Sequence, residues 1–175
     1  FHYGPRLWMV GEIEPLKDLQ SETNGIHIID RILTEYPTRL INHSNELYRI
    51  RKEPKRPTDF AEYDSPPEGV ATSGRLDSPD LPILYASEDL DVCAHECRVT
   101  VEDEIYLATL RPGRELRMLD LTHLLKEDGV TEFDSLDLAV HMLFLAGEHS
   151  YPIARCISVA ADAAGYDGLI YPSYF

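Results

Sequence analysis

Three residue types with a shared chemistry stand close together in this chain. Gly74-Arg75-Leu76-Asp77 is followed by Tyr85-Ala86-Ser87, and Glu96 comes soon after. An arginine fork can hold a pyrophosphate through paired hydrogen bonds, for which lysine is a poor substitute. A tyrosine offers a flat ring for stacking and a hydroxyl for one hydrogen bond. A fixed carboxylate can stabilise the positive charge that develops on a sugar as its bond to a nitrogen base breaks. Each also has a plainer reading. Arg75 can pair with a surface carboxylate, Tyr85 can fill a half-buried strand, and Glu96 can pair with Arg98 or a backbone donor.

Other residues are weaker candidates. Ser173, after Pro172, can position a ribose or phosphate oxygen or simply occupy a turn. It has no small-residue nucleophile elbow around it and no adjacent histidine, which excludes a serine-hydrolase reading. Tyr48-Arg49 supplies a second aromatic and cation. Cys93-x-His95-x-Cys97 suggests a metal, but helical alternation spreads these side chains around the axis, and the paired-cysteine zinc spacings are absent. No metal is therefore expected. Neither a Walker loop nor a dinucleotide-binding glycine fingerprint occurs.

Periodicity predicts the elements that must carry these groups. Ile26, Ile28, Ile29, Ile32 and Leu33 suit one face of a short helix ending near Pro37. Leu47 to Arg51 and Ile83 to Ala86 read as strands. Ser87 is placed to cap a helix running to about Arg98, with Leu90, Cys93, Ala94 and Cys97 as its apolar face and Glu96 near the core boundary. Ile105–Leu110 and Leu116–Leu121 are expected as strands on either side of Arg111-Pro112-Gly113. Leu136, Ala139, Val140, Leu143 and Phe144 make a helical stripe. Ala154 to Ala164 forms a further helix closed by Gly165, and Leu169 to Tyr171 returns as a strand. This mixed order favours α+β over a doubly wound sheet.

Composition narrows the class. At 175 residues and 43% hydrophobic the chain can bury a sizeable core. Residues 1–60 balance nine acidic against nine basic side chains, so the whole net charge of -15 is carried by residues 61–175. That field opposes nonspecific nucleic-acid binding and attachment to an anionic membrane. The basic cluster from Arg49 to Arg56 is too brief to reverse it. No apolar run reaches transmembrane length. The chain opens Phe1-His2-Tyr3 with no signal-peptide pattern and no Met, as if it began inside a longer one or had been processed. Cysteines at 93, 97 and 156 fit reduced thiols in a cytoplasmic protein.

The ordered set of motifs resembles the RES domain, a family of bacterial NAD-consuming toxins named for an arginine, a glutamate and a serine. Leu47-Tyr48-Arg49, Ser73-Gly74-Arg75-Leu76-Asp77-Ser78-Pro79, Ile83-Leu84-Tyr85-Ala86-Ser87, Glu96 and Ala164 through Ser173 carry the resemblance. It covers residues 46–175 and leaves 1–45 as an N-terminal accessory region. It implies an ADP-ribosyltransferase-like fold with a split, mostly antiparallel β-sheet, packed helices and an NAD cleft.

Carried over by position, Arg75, Glu96 and Ser173 are the family's catalytic set, and Tyr48, Arg49, Arg75, Tyr85 and Ser173 its cofactor-binding residues. The resemblance implies NAD as substrate, cleaved at the nicotinamide–ribose bond by water or phosphate. Arg75 would position phosphate or ribose, Tyr85 would face nicotinamide, Glu96 would stabilise the ribosyl cation, and Ser173 would organise the cleft. ADP-ribosylation of a protein and a noncatalytic NAD-binding module are the alternatives. A helix-turn-helix antitoxin is the implied partner, and a homo-oligomer is compatible. Two departures stand out. Leu76 and Asp77 replace the aromatic residue and asparagine often found after Gly-Arg. The chain also ends two residues after Ser173, where a further segment is expected, which points to C-terminal incompleteness.

Overall fold

The stripe Leu136, Ala139, Val140, Leu143 and Phe144 forms one buried helical face, each residue at 2% exposure or less. Its helix is one of five in a computed structural model that describes residues 12–21, 23–67, 69 and 74–173. The helices are α1 (Glu14–Asp18), α2 (Asn24–Glu35), α3 (Leu90–Glu96), α4 (Leu136–Leu145) and α5 (Tyr151–Ala163). The strands are β1 (Thr38–Ile41), β2 (Leu47–Lys52), β3 (Ile105–Leu110), β4 (Leu116–Asp120) and β5 (Gly168–Ile170). They form a three-stranded sheet of order β1-β4-β5 and a two-stranded sheet of β2 and β3. The β2–β3 pair is antiparallel and the β4–β5 pair parallel. The expected α+β class and split sheet are both present.

The chain divides into two compact units. The first joins the described residues up to Arg39 with 117–172, and the second joins 40–116 with Ser173. In the first, α1 packs on α4, and α2 meets α1 and α5. Leu119, Leu121, Ile157 and Ile32 are fully enclosed, and the rings of Phe144 and Tyr171 stack at 5.0 Å. Two side chains cap the start of α4. Ser135 Oγ accepts from Leu138 N at 2.9 Å, and Glu127 accepts from Leu136 N at 2.7 Å. Gly165, at φ +81°, ends α5 in the left-handed conformation expected of it. The region 1–45 is thus shared: its described part through Arg39 belongs to the first unit and residues 40–45 to the second.

Four local expectations need correction. Along α2 the buried side is Gly25, Ile28 and Ile32, whereas Ile26 is 63% exposed, because two residues rotate a helix by about 200°. Residues 83–86 have no regular secondary structure and join no sheet. Pro82 lacks an amide proton, only Tyr48 and Ser87 make a bridge, and the Tyr85 carbonyl is taken by a side chain. Asp89, rather than Ser87, caps α3, accepting from Asp91 N at 2.8 Å and Val92 N at 3.3 Å. This helix is short and buries only Cys93, so Leu90 is 41% exposed and Glu96 is also exposed.

Among the described residues no helix is long and apolar enough to cross a membrane. All three cysteines are free: Cys93 buried, Cys97 half-buried and Cys156 exposed.

Candidate functional site

Every candidate residue lies in the second unit, and β2 is its hub. Along β2, Arg49 and Ile50 are buried at 6% and 7% exposure. The Arg49 guanidinium donates from Nη1 to the Tyr85 carbonyl at 2.7 Å and from Nη2 to the Asp64 carbonyl at 3.2 Å. Its Nε is buried without a hydrogen-bond partner among the described residues. Burial, with a smaller contribution from Arg51, pushes the Arg49 pKa down to about 10, which leaves it charged at neutral pH. Arg49 thus acts here as a brace that fixes the backbone at Tyr85.

The Arg75 loop is fastened on both sides of the arginine. Gly74 N donates to Asp77 Oδ2 at 3.1 Å, and Leu76 N donates to the Tyr85 hydroxyl at 2.8 Å. Leu76 and Asp77 are buried, at 3% and 5% exposure, while Arg75 is half-buried. Glycine at 74 leaves room for this arrangement, because a Cβ there would strike the Asp77 carboxylate and lie 2.8 Å from the Tyr85 hydroxyl oxygen. The loop then closes through paired backbone bonds between Ser78 and Leu81, at 3.2 and 3.0 Å. Ser73, the first residue of the matching motif, lies outside the described residues.

On the other side of the hub, backbone bonds tie Tyr48 to Ser87 at 2.7 and 3.0 Å. The Cys93 thiol donates to the Tyr48 carbonyl at 3.0 Å, and the Cys97 thiol to the Ile50 carbonyl at 3.8 Å. Burial raises both thiol pKa values, so both groups stay protonated donors. These bonds seat α3 on β2 and set the position of Glu96 at the end of the helix. Ser173 Oγ then donates to Glu96 Oε1 at 2.9 Å, across 77 residues of sequence. The Tyr48 hydroxyl is turned to Glu46 Oε2 at 3.4 Å, and Glu46 also pairs with Arg111, which lowers its pKa.

Two pairs of candidates are therefore brought together: Arg75's loop with Tyr85, and Glu96 with Ser173. Arg49 and Tyr48 link both pairs to β2, Arg49 from a buried side chain and Tyr48 through its backbone. Cys93 is buried and His95 exposed, and among the described residues no group of three or more His, Cys, Asp and Glu side chains is placed to hold a metal. An open groove of about 740 Å³ over β3 is lined by Leu47, Tyr63, Leu84, Leu107 and Leu110, among others. None of Arg75, Tyr85, Glu96 and Ser173 lines it.

Asp77 and the two thiols were not recognised as parts of this scaffold from sequence. Gly-x-x-Asp spacing is the signal for Asp77, since an aspartate can close a short turn onto an amide three residues back. The thiols carry no such local signal.

The arginine loop with Tyr85, and Glu96 with the distant Ser173, are thus two pairs, each tied to β2 through its own bonds. Comparison with curated proteins and with solved structures finds no match. The family model for the RES domain matches residues 46–175, which takes in both pairs. The chain belongs to the RES domain family.

Proposed function

We propose that this chain consumes NAD by cleaving the bond between nicotinamide and ribose. Family membership supports a general NAD-related catalytic role. The observation that carries the finer reading is the 2.9 Å bond from Ser173 to an exposed Glu96. It fixes one carboxylate oxygen and leaves the side chain open to a ligand. As the glycosidic bond breaks, its electron pair moves to the nicotinamide nitrogen and neutralises the pyridinium. The ribose carbon becomes cationic, and Glu96 stabilises that charge. Arg75 binds the pyrophosphate. Tyr85 and Arg49 hold the Arg75 loop and its backing segment in place.

Water adding to the cation and losing a proton yields ADP-ribose. Phosphate adding instead yields the 1-phosphate ester. In this reading the protein is a toxin, held in check by an antitoxin. The exposure of Glu96 also admits a macromolecular acceptor, which would be revealed by label from NAD remaining on a protein.

The test is chromatographic detection of nicotinamide after incubation with NAD, with and without inorganic phosphate. Wild type should release nicotinamide, and Glu96→Gln should lower turnover about 10²- to 10³-fold with its fold intact. Undiminished turnover in that variant would remove Glu96 from its role. The sugar product separates hydrolysis from phosphorolysis.

A further inference from the structure

Asp77 lies two residues from the proposed phosphate-binding arginine and adds a negative charge near a site proposed to hold an anion. Its carboxylate, however, is turned inward and is 5% exposed. Oδ2 accepts from Gly74 N at 3.1 Å, and Oδ1 is buried with no hydrogen-bond partner among the described residues. Enclosing a carboxylate oxygen without a donor is costly, and an apolar side chain of similar size would avoid that cost. A group held against such a cost calls for a reason beyond packing.

The geometry supplies one. The backbone N–H groups of the two residues that neighbour Arg75 are both gripped by side chains, Gly74 N by Asp77 and Leu76 N by the Tyr85 hydroxyl at 2.8 Å. Arg49 in turn fixes the backbone of Tyr85 through its carbonyl at 2.7 Å. The missing Cβ at Gly74 is what allows the Asp77 carboxylate to come this close.

We propose that Asp77 is a positioning residue: with the Tyr85 hydroxyl it clamps the N–H groups of the residues before and after Arg75 and so aims the guanidinium. The proposal rests on the reading of Arg75 as the pyrophosphate ligand. Asp77 touches no substrate and acts only through the loop. It sets how well Arg75 is pre-oriented, so its loss should appear in substrate affinity far more than in turnover.

Three variants test this. Asp77→Leu should raise KM for NAD at least about tenfold with kcat changed less than about threefold, the loss of one such hydrogen bond being worth roughly that factor. Tyr85→Phe, which removes a single oxygen, should shift KM in the same direction. Asp77→Asn keeps an acceptor for Gly74 N and should restore KM to within about threefold of wild type.

Hydrogen–deuterium exchange of the segment around Arg75 gives a second readout that needs no turnover. Exchange there should quicken in Asp77→Leu and Tyr85→Phe and stay slow in Asp77→Asn. Should wild type release no nicotinamide, the proposed activity falls, while the exchange pattern still decides the clamp. Unchanged exchange in Asp77→Leu, or an Asp77→Asn as impaired in KM as the leucine variant, would overturn the proposal.

Discussion

In the first unit Leu136, Ala139, Val140, Leu143 and Ile157 lie at 1% exposure or less, whereas the second keeps Arg49 and Asp77 among its most buried side chains. The first unit is a helical core of apolar surface removed from water. The second is a small antiparallel sheet whose outer strand alternates exposed and half-buried residues, with Ile105 and Leu107 at 44% and 47% exposure. Its loops are held by hydrogen bonds from side chains to the backbone. Apolar burial is non-directional and tolerates small shifts, while a hydrogen bond fixes distance and angle. The residues proposed to act on substrate all stand on the second kind of support. Placing a reactive group thus depends here on directional bonds, and folding stability depends chiefly on the core of the first unit.

That contrast can be broken experimentally. The largest effect is expected from Leu143→Ala, which should cost about 3–4 kcal/mol in urea denaturation because the cavity lies in a fully enclosed helix interface. A loss below about 1 kcal/mol would show that the first unit is not packed as described. Next comes Arg49→Met, which leaves the carbonyls of Tyr85 and Asp64 without their donor. It should cost about 2 kcal/mol, partly offset by relief of a buried charge, and should raise KM for NAD. If stability fell with KM unchanged, Arg49 would be a packing residue and the contrast would blur.

Ser173→Ala removes one hydrogen bond to a carboxylate and should lower kcat about five- to tenfold, with no shift in thermal midpoint. Equal loss of midpoint and rate would make Ser173 structural. The smallest effect concerns Asp103, whose pKa is lowered to about 2 by its hydrogen bond from Lys52 and then by the Thr100 backbone amide. A depressed carboxylate stabilises the fold above its ordinary range near 4 and ceases to do so as pH falls through about 2. Asp103→Asn should therefore lower the thermal midpoint at pH 7 and match wild type near pH 2. A gap that persisted at low pH would exclude this ion pair as the cause.

Much of the fold could be read in the sequence because periodicity is a local signal. The stripe of α4, the glycine stop of α5 and the strands β2, β3 and β4 came from spacing alone. What could not be read depends on partners far along the chain. Residues 83–86 have the composition of a strand, yet Arg49, 36 positions earlier, takes the Tyr85 carbonyl that a neighbouring strand would have used. Strands β3 and β4 flank a turn but lie in different sheets, a choice set by tertiary pairing. In the site, residue types and order were legible through the family resemblance. The inward turn of Asp77 and the burial of Arg49 were not, because nothing local tells whether a charged side chain will find backbone partners.

The bond between Glu96 and Ser173 has a kinetic consequence. Between them the chain runs through β3, β4, α4, α5 and β5 before it returns, so this contact closes a loop of 77 positions. Contacts within helices form early, whereas those that close long loops must wait for the intervening chain to become compact. In refolding from denaturant, far-ultraviolet ellipticity should recover ahead of the Glu96–Ser173 contact. A newly collapsed chain would then carry most of its helix while its carboxylate was still unaligned.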